Sequence, residues 1–269
     1  MVEIDRPGAG LPADRRSARH RAPTRARLGT AIALAIAVLS WAAAPALAAD
    51  PGRGSGVPTR TSTTATTVTR TVDLSRTAAH VTQYTSYWCV PAAAQTMINI
   101  VTGRSDRTYA TQSRLYTELQ KANLYDYTTK GNDVRGWARV LSARLPAGMG
   151  YADVSFTSRG AAYGAIVDAM DRTKRPVGIV VGAGSHAWTV VGFTVRETTG
   201  SAPSRTILGF TVVGPLGSPR DPWPKKYLTV DQLASHFTRY HESQRAVVWE
   251  GKFVIVAPVA ADGSVIIRR

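Results

Sequence analysis

The chain has 269 residues with 33 Lys and Arg against 18 Asp and Glu, a formal charge of +15, and one cysteine. That length holds an export segment and a single domain of roughly 100–200 residues. The lone Cys89 excludes an internal disulfide, leaving a packing residue or a thiol kept for its reactivity. A basic surplus favours contact with anionic polymers such as an acidic cell envelope. The sequence has neither an interleaved aromatic and basic strand motif nor paired metal-binding cysteines, so no nucleic-acid partner is expected.

Seven arginines precede Leu28–Trp41, an uncharged apolar run followed by Ala-Pro-Ala-Leu-Ala with small residues at Ala46 and Ala48. This three-part pattern predicts a signal peptide over residues 1–48, cleaved near Ala48. The apolar run is short for a membrane span of about 20 residues, although an uncleaved anchor is the competing reading. Either reading places the domain outside the cytoplasm, with membrane contact only through this segment. Arg15-Arg16 stands too far ahead of the apolar run to read as a twin-arginine signal.

Residues 49–75, rich in Thr, Gly, Pro and Arg, read as a linker, and residues 76–269 as the folded domain. Helices are predicted over Pro91–Ile100, with Pro at its first position, and over Thr111–Ala122, Asp133–Ala143 and Ala161–Arg172. Short β-branched or aromatic runs then predict strands at Val177–Val181, His186–Phe193, Ile207–Val213 and Val247–Val256. One more helix is expected over Val230–His241, started by a capping box between Thr229 and Gln232. Helices first and an antiparallel sheet later make an α+β domain.

The stretch Gln83-Tyr84-Thr85-Ser86-Tyr87-Trp88-Cys89-Val90-Pro91-Ala92-Ala93 puts the cysteine at the start of a helix. The helix dipole and unpaired backbone N–H groups there favour a thiolate. Gln83, six residues earlier, offers a side-chain amide to an oxyanion formed during acyl transfer. A second stretch, Gly182-Ala183-Gly184-Ser185-His186-Ala187-Trp188-Thr189-Val190-Val191-Gly192-Phe193, leads from a glycine-rich loop into a strand headed by His186. An imidazole at that edge can take the thiol proton and return it to a leaving amine.

The Gln-then-Cys spacing and the His-small-aromatic-apolar pattern resemble the papain-like cysteine peptidases, and the YWCVPAA context is similar to their bacteriocin-leader-processing branch. The resemblance implies N-terminal helices packed on a C-terminal antiparallel sheet, with Cys89 as nucleophile, His186 as base and Gln83 as oxyanion donor. It implies a peptide or protein substrate and no cofactor. Two positions depart from the pattern. Val90 stands where glycine is frequent, and the strand that ends in an imidazole-orienting Asp or Asn ends here in Gly214-Pro215.

Asp221, in Asp221-Pro222-Trp223-Pro224, is the nearest replacement and would need an oxygen within about 3.2 Å of the imidazole. Its alternative role is to shape the turn before proline. Asp231 reads as a favourable charge in a helix's first turn. His80 lies at the start of the domain, and His236 and His241 point to different helix faces, so no metal site is expected. The residues thus point to a secreted thiol hydrolase cutting peptide or amide bonds. A wall-peptide amidase or acyltransferase and a papain-like binding module without turnover are the alternatives.

Overall fold

The computed structural model describes residues 65–126, 131–200, 202–218, 221–242 and 247–266. The expected signal segment and the first part of the expected linker lie outside these residues. No helix among the described residues is long and apolar enough to cross a membrane.

The described residues form an α+β arrangement of five α-helices on a seven-stranded antiparallel sheet. In chain order the elements are β1 (Thr66–Asp73), α1 (Cys89–Thr102), α2 (Tyr109–Ala122), α3 (Val134–Arg144), β2 (Tyr151–Phe156), α4 (Arg159–Thr173) and β3 (Val177–Val181). There follow β4 (His186–Thr199), β5 (Ser204–Val213), β6 (Lys226–Thr229), α5 (Val230–Ala234) and β7 (Phe253–Pro258). The strand order is β2-β7-β3-β4-β5-β6, and β1 pairs with β4.

The central strands are buried on both faces, so they read as continuous apolar runs instead of alternating ones. Side chains still alternate between two cores. Phe253, Ile255 and Ala257 of β7 join Ile166 and Met170 of α4, while Val254 and Val256 join Met97, Leu119 and Leu141 of α1, α2 and α3. The resemblance implied N-terminal helices packed on the sheet. Here α4 covers the opposite face because both faces of β3 and β7 are apolar and each needs a partner.

The helices begin and end where local chemistry directs. Thr108, Asp133 and Ser158 cap α2, α3 and α4 through side chains that accept from Thr111, Gly136 and Ala161. Left-handed Gly103, at φ 73°, ends α1. Helix α1 starts two residues ahead of its expected first position, so Pro91 is its third residue, still in the first turn where a missing N–H is harmless.

Three expectations need correction. The presumed linker through Ser75 contains β1, whose residues 66–73 pair with residues 192–199 of β4. Its threonines are β-branched strand formers on an exposed edge, Val72 packs toward the core, and Arg70 bridges Asp171 at 2.9 Å and Glu197 at 3.2 Å. Helix α5 has the predicted capping box but stops at Ala234, as the following backbone turns to meet the loop before His186. Strand β7 begins at Phe253 because residues 247–252 fold into turns that bury Trp249.

The layers meet most closely where Trp137 of α3, fully buried, lies on Gly178 of β3. A Cβ at that glycine would fall 2.5 Å from the indole ring. Gly178→Ala should therefore lower the thermal midpoint, with about 1–3 kcal/mol lost to overpacking. Calorimetry of the purified variant is the check, and an unchanged midpoint would refute the close-packing account.

Candidate active site

Cys89 is the first residue of α1, where the N–H groups of Cys89 and Val90 precede the first helical bond, from Ala92 N to Trp88 O at 3.0 Å, Pro91 carries no N–H, and the helix dipole is positive. Small, buried Ala92, Ala93 and Ala94 let this helix sink into the domain. The approach to the thiol is tied down on both sides. Gln83 N donates to Pro215 O at 2.7 Å, and Tyr84 N to Oε1 of the fully buried Gln112 at 2.8 Å. Trp88 stacks on Tyr116 of α2 with ring centroids 5.4 Å apart, which fixes the residue preceding the cysteine. The Cys89 side chain remains half-buried and unbonded to any other sulfur.

His186 opens β4 opposite Val181 of β3. The connection reverses through three residues with positive φ: Gly182 at 58°, Ala183 at 55° and Gly184 at 102°. Glycine adopts that region freely, whereas Ala183 is held there by its surroundings. Its N–H donates to Thr238 Oγ1 at 2.8 Å and its carbonyl accepts from His241 N at 3.0 Å. Gly182 N donates to His236 O at 2.9 Å. The segment after α5 thus braces the imidazole's loop.

Asp221 is the third member of the group. Its carboxylate is buried, with Oδ1 accepting from Trp188 Nε1 at 2.6 Å and lying 3.3 Å from His186 Nε2, while Oδ2 accepts from Leu216 N at 2.6 Å. With Nε2 turned to the carboxylate, Nδ1 is the ring nitrogen left for the thiol. The separation of 3.3 Å is slightly beyond the distance expected from sequence, because Oδ1 is shared with the indole N–H.

Gly214 gives the departure at the strand end a physical meaning. A Cβ built on Gly214 would lie 2.2 Å from Cγ of Asp221. The loop carboxylate therefore occupies the space that a side chain at the end of β5 would fill. The absent side chain is a requirement for Asp221 to reach His186.

Burial opposes a charge on His186, but its hydrogen bonds with Asp221 and Cys89, and the charges of those two groups, outweigh it and push the imidazole up to about 9. The thiol and the buried carboxylate thus both favour the imidazolium. Cys89 and His186 line one cleft of about 210 Å³ with Tyr87, Val134, Val180, Ser185, Asn132 and Tyr240. Among the described residues that line it there is no Asp, Glu, Lys or Arg.

The structure brings Cys89, His186 and Asp221 together, but Gln83 is not part of the cleft lining. Its Nε2 donates to Thr85 O at 2.7 Å, and its buried Oε1 has no partner. His80 is buried against the Trp223 ring, and His236 packs on Trp188 at 4.9 Å. Among the described residues no three His, Cys, Asp or Glu side chains converge as a metal site. Sequence reasoning missed Trp188 as a carboxylate donor and Asn132 in the cleft. Only the alternation that puts Trp188 on the face of His186 hinted at the former.

Two measurements follow from this electrostatic arrangement. Gly214→Ala should displace the carboxylate and lower the His186 pKa, as should Asp221→Asn, and imidazole titration by NMR reads both directly. An unmoved titration in both variants would remove Asp221 as the cause. The raised pKa also links to folding. The ring is near 6.5 when unfolded and about 9 when folded, so its stabilisation is complete below 6.5 and is lost as pH rises through 9. The thermal midpoint of wild type should fall across that window, and His186→Gln should flatten the fall.

In comparisons with protein-family models, with curated proteins and with solved structures, no match to this chain was found.

Proposed function

We propose that the protein is a secreted thiol hydrolase of papain-like fold that cleaves a peptide or amide bond by acylating Cys89. The reading rests on one observation above all: Cys89 at a helix N-terminus shares a cleft with an imidazole backed by a buried carboxylate. The resemblance of the two motifs to the bacteriocin-leader-processing branch supports the same reading. The basic surplus outside the expected signal segment, 26 Lys and Arg against 15 Asp and Glu or +11, suits residence at an anionic cell envelope.

In this mechanism the proton shared by Cys89 and His186 lies on the imidazole, leaving a thiolate beside an imidazolium stabilised by Asp221. The thiolate attacks the substrate carbonyl, and the tetrahedral oxyanion is met by the Cys89 backbone N–H. Gln83, which the resemblance assigns as side-chain donor, has Nε2 bound to Thr85 O at 2.7 Å and would have to turn toward the cleft to meet that oxyanion. The imidazolium then protonates the leaving amine. Water, activated by the neutral ring, hydrolyses the acyl-enzyme and restores the thiol.

The binding-module reading drew its support from Gly214 in place of an acid. That support weakens, because the space at Gly214 holds the carboxylate of Asp221. Cys89→Ala and His186→Ala should each abolish hydrolysis of a peptide library while leaving circular dichroism unchanged. Retained cleavage by the Cys89 variant would reject the mechanism. Gln83→Ala should lower kcat by about 10²–10³ through loss of one oxyanion donor.

The pH profile separates the imidazolium's role from simple binding. A proton held on His186 up to about pH 9 should sustain kcat/KM to that pH and then let it fall. Asp221→Asn should move this alkaline limb to lower pH and reduce kcat by up to about 10⁴. A limb in the same place for both proteins would show that another group governs it.

A further inference from the structure

We propose that Trp188 is a positioning residue for the proposed hydrolysis: its indole N–H holds Oδ1 of Asp221 back from His186, so that the carboxylate orients the imidazole without locking it into an ion pair. This rests on the thiol hydrolase reading, in which the imidazolium must give a proton to the leaving amine. Oδ1 lies 2.6 Å from Trp188 Nε1 and 3.3 Å from His186 Nε2. Bonds between an ionised nitrogen donor and a carboxylate usually fall at about 2.7–2.9 Å. The neutral indole therefore has the shorter bond, and the ring able to carry a charge has the longer one.

The indole and the carboxylate are each fixed by their surroundings. Trp188 stands opposite Ile179 in the pairing of β3 with β4, is only 4 % exposed, and belongs to the core that holds Leu233 and Phe237. The His236 ring lies against it at 4.9 Å. On the other side of the carboxylate, Leu216 N donates to Oδ2 at 2.6 Å. The backbone of Asp221 is tied as well, its N donating to Ser218 O at 3.0 Å and its O accepting from Trp223 N at 2.7 Å. The His186 side chain, 19 % exposed against 1 % for that of Asp221, is the partner left to adjust its distance.

Donors to one carboxylate oxygen compete, because each draws on the same negative charge. Without the indole N–H, the charge on Oδ1 would fall to His186 alone and the imidazolium would be held more tightly. Such a ring is a weak acid. In the proposed reaction its Nδ1 proton passes to the amine nitrogen as the C–N bond breaks, while the Nε2 proton stays with Asp221. The titratable groups around this arrangement are Cys89 of α1 and Asp221 beside the imidazole, Tyr87 and Tyr240 in the cleft wall, and His236 on the indole.

NMR of the full-length wild type follows the Trp188 indole proton and the His186 ring through one pH titration. Both should move with the same midpoint, because loss of the imidazole proton returns charge to Oδ1. Trp188→Phe should raise the His186 midpoint by about half a pH unit, the worth of one hydrogen bond. The alkaline limb of kcat/KM should rise with it, opposite to the direction expected for Asp221→Asn. In an Asp221→Asn background, Trp188→Phe should leave the midpoint in place.

A midpoint unchanged or lowered by Trp188→Phe would overturn the proposal, because lost packing alone would loosen the carboxylate and lower it. An indole proton indifferent to the His186 titration would overturn it in the wild type, with no substitution to unsettle the fold. Wild-type protein that cleaves no peptide while both NMR results hold would overturn the hydrolase reading and the catalytic purpose of the indole, an outcome distinct from failure of the shared hydrogen bond.

Discussion

A buried carboxylate must be surrounded by donors or lose its charge, and the placement of Asp221 organises much of the molecule around that requirement. The carboxylate draws donors from three places: the indole of Trp188 on β4, the backbone of Leu216 after β5, and the imidazole at the head of β4. Bringing them together requires the chain to leave β5 without a side chain at Gly214 and to return by residue 221. Gly214 N donating to Pro222 O at 2.9 Å closes that excursion. The same loop reaches the other half of the site, because Pro215 O receives Gln83 N from the approach to Cys89. Loss of the carboxylate would therefore disturb the neighbours of both His186 and Cys89.

Strand β4 is the element through which these constraints reach the core. Its first half pairs with β3, its second half with β1, and its opposite edge with β5. Pairing on both edges makes the position of His186 a property of the whole sheet and not of one flexible loop. Gly192 sits where β1 meets it, and a Cβ there would approach Val72 O to 2.6 Å. The exposed, threonine-rich β1 thus belongs to the support of the imidazole, even though it stands far from the cleft in sequence.

Legibility in the sequence followed the range of the interactions. Strand β3 and the starts of α2 and α3 were readable to within two residues, because β-branched runs and capping side chains act over a few positions. The motif pair Cys89 and His186 was readable for the same reason, since each carries its helix-start or strand-start context beside it. Strand β1 was not readable, because exposed threonine is common to linkers and to solvent-facing edge strands. Strand β2 and the four-residue β6 are edge elements whose partly polar sequences mask their pairing. The early stop of α5 depends on Gly182 and Ala183, some 50 residues away in the chain. The carboxylate's route into Gly214's vacant space is a fact of volume that no local pattern encodes, so Asp221 could be reached only by elimination.

The upward shift of His186 bears on what the cleft can accept. An imidazolium pushed up to about 9 needs a counter-charge, and Asp221 supplies one from beneath it. With no other formal charge among the described lining residues, the field in the cleft is set mainly by the thiol, the imidazole and that buried carboxylate. In the proposed mechanism the negative charge lies on sulfur beside the imidazolium and the α1 N-terminus, both of which stabilise it. In the proposed reaction, a neutral peptide main chain in the cleft would exclude water without inserting a competing charge, which strengthens those interactions when the carbonyl is attacked. A substrate carrying a carboxylate next to the bond would instead pair with the imidazolium and hold the proton needed by the leaving amine. The neutrality of the cleft wall is thus coupled to the chemistry of the imidazole.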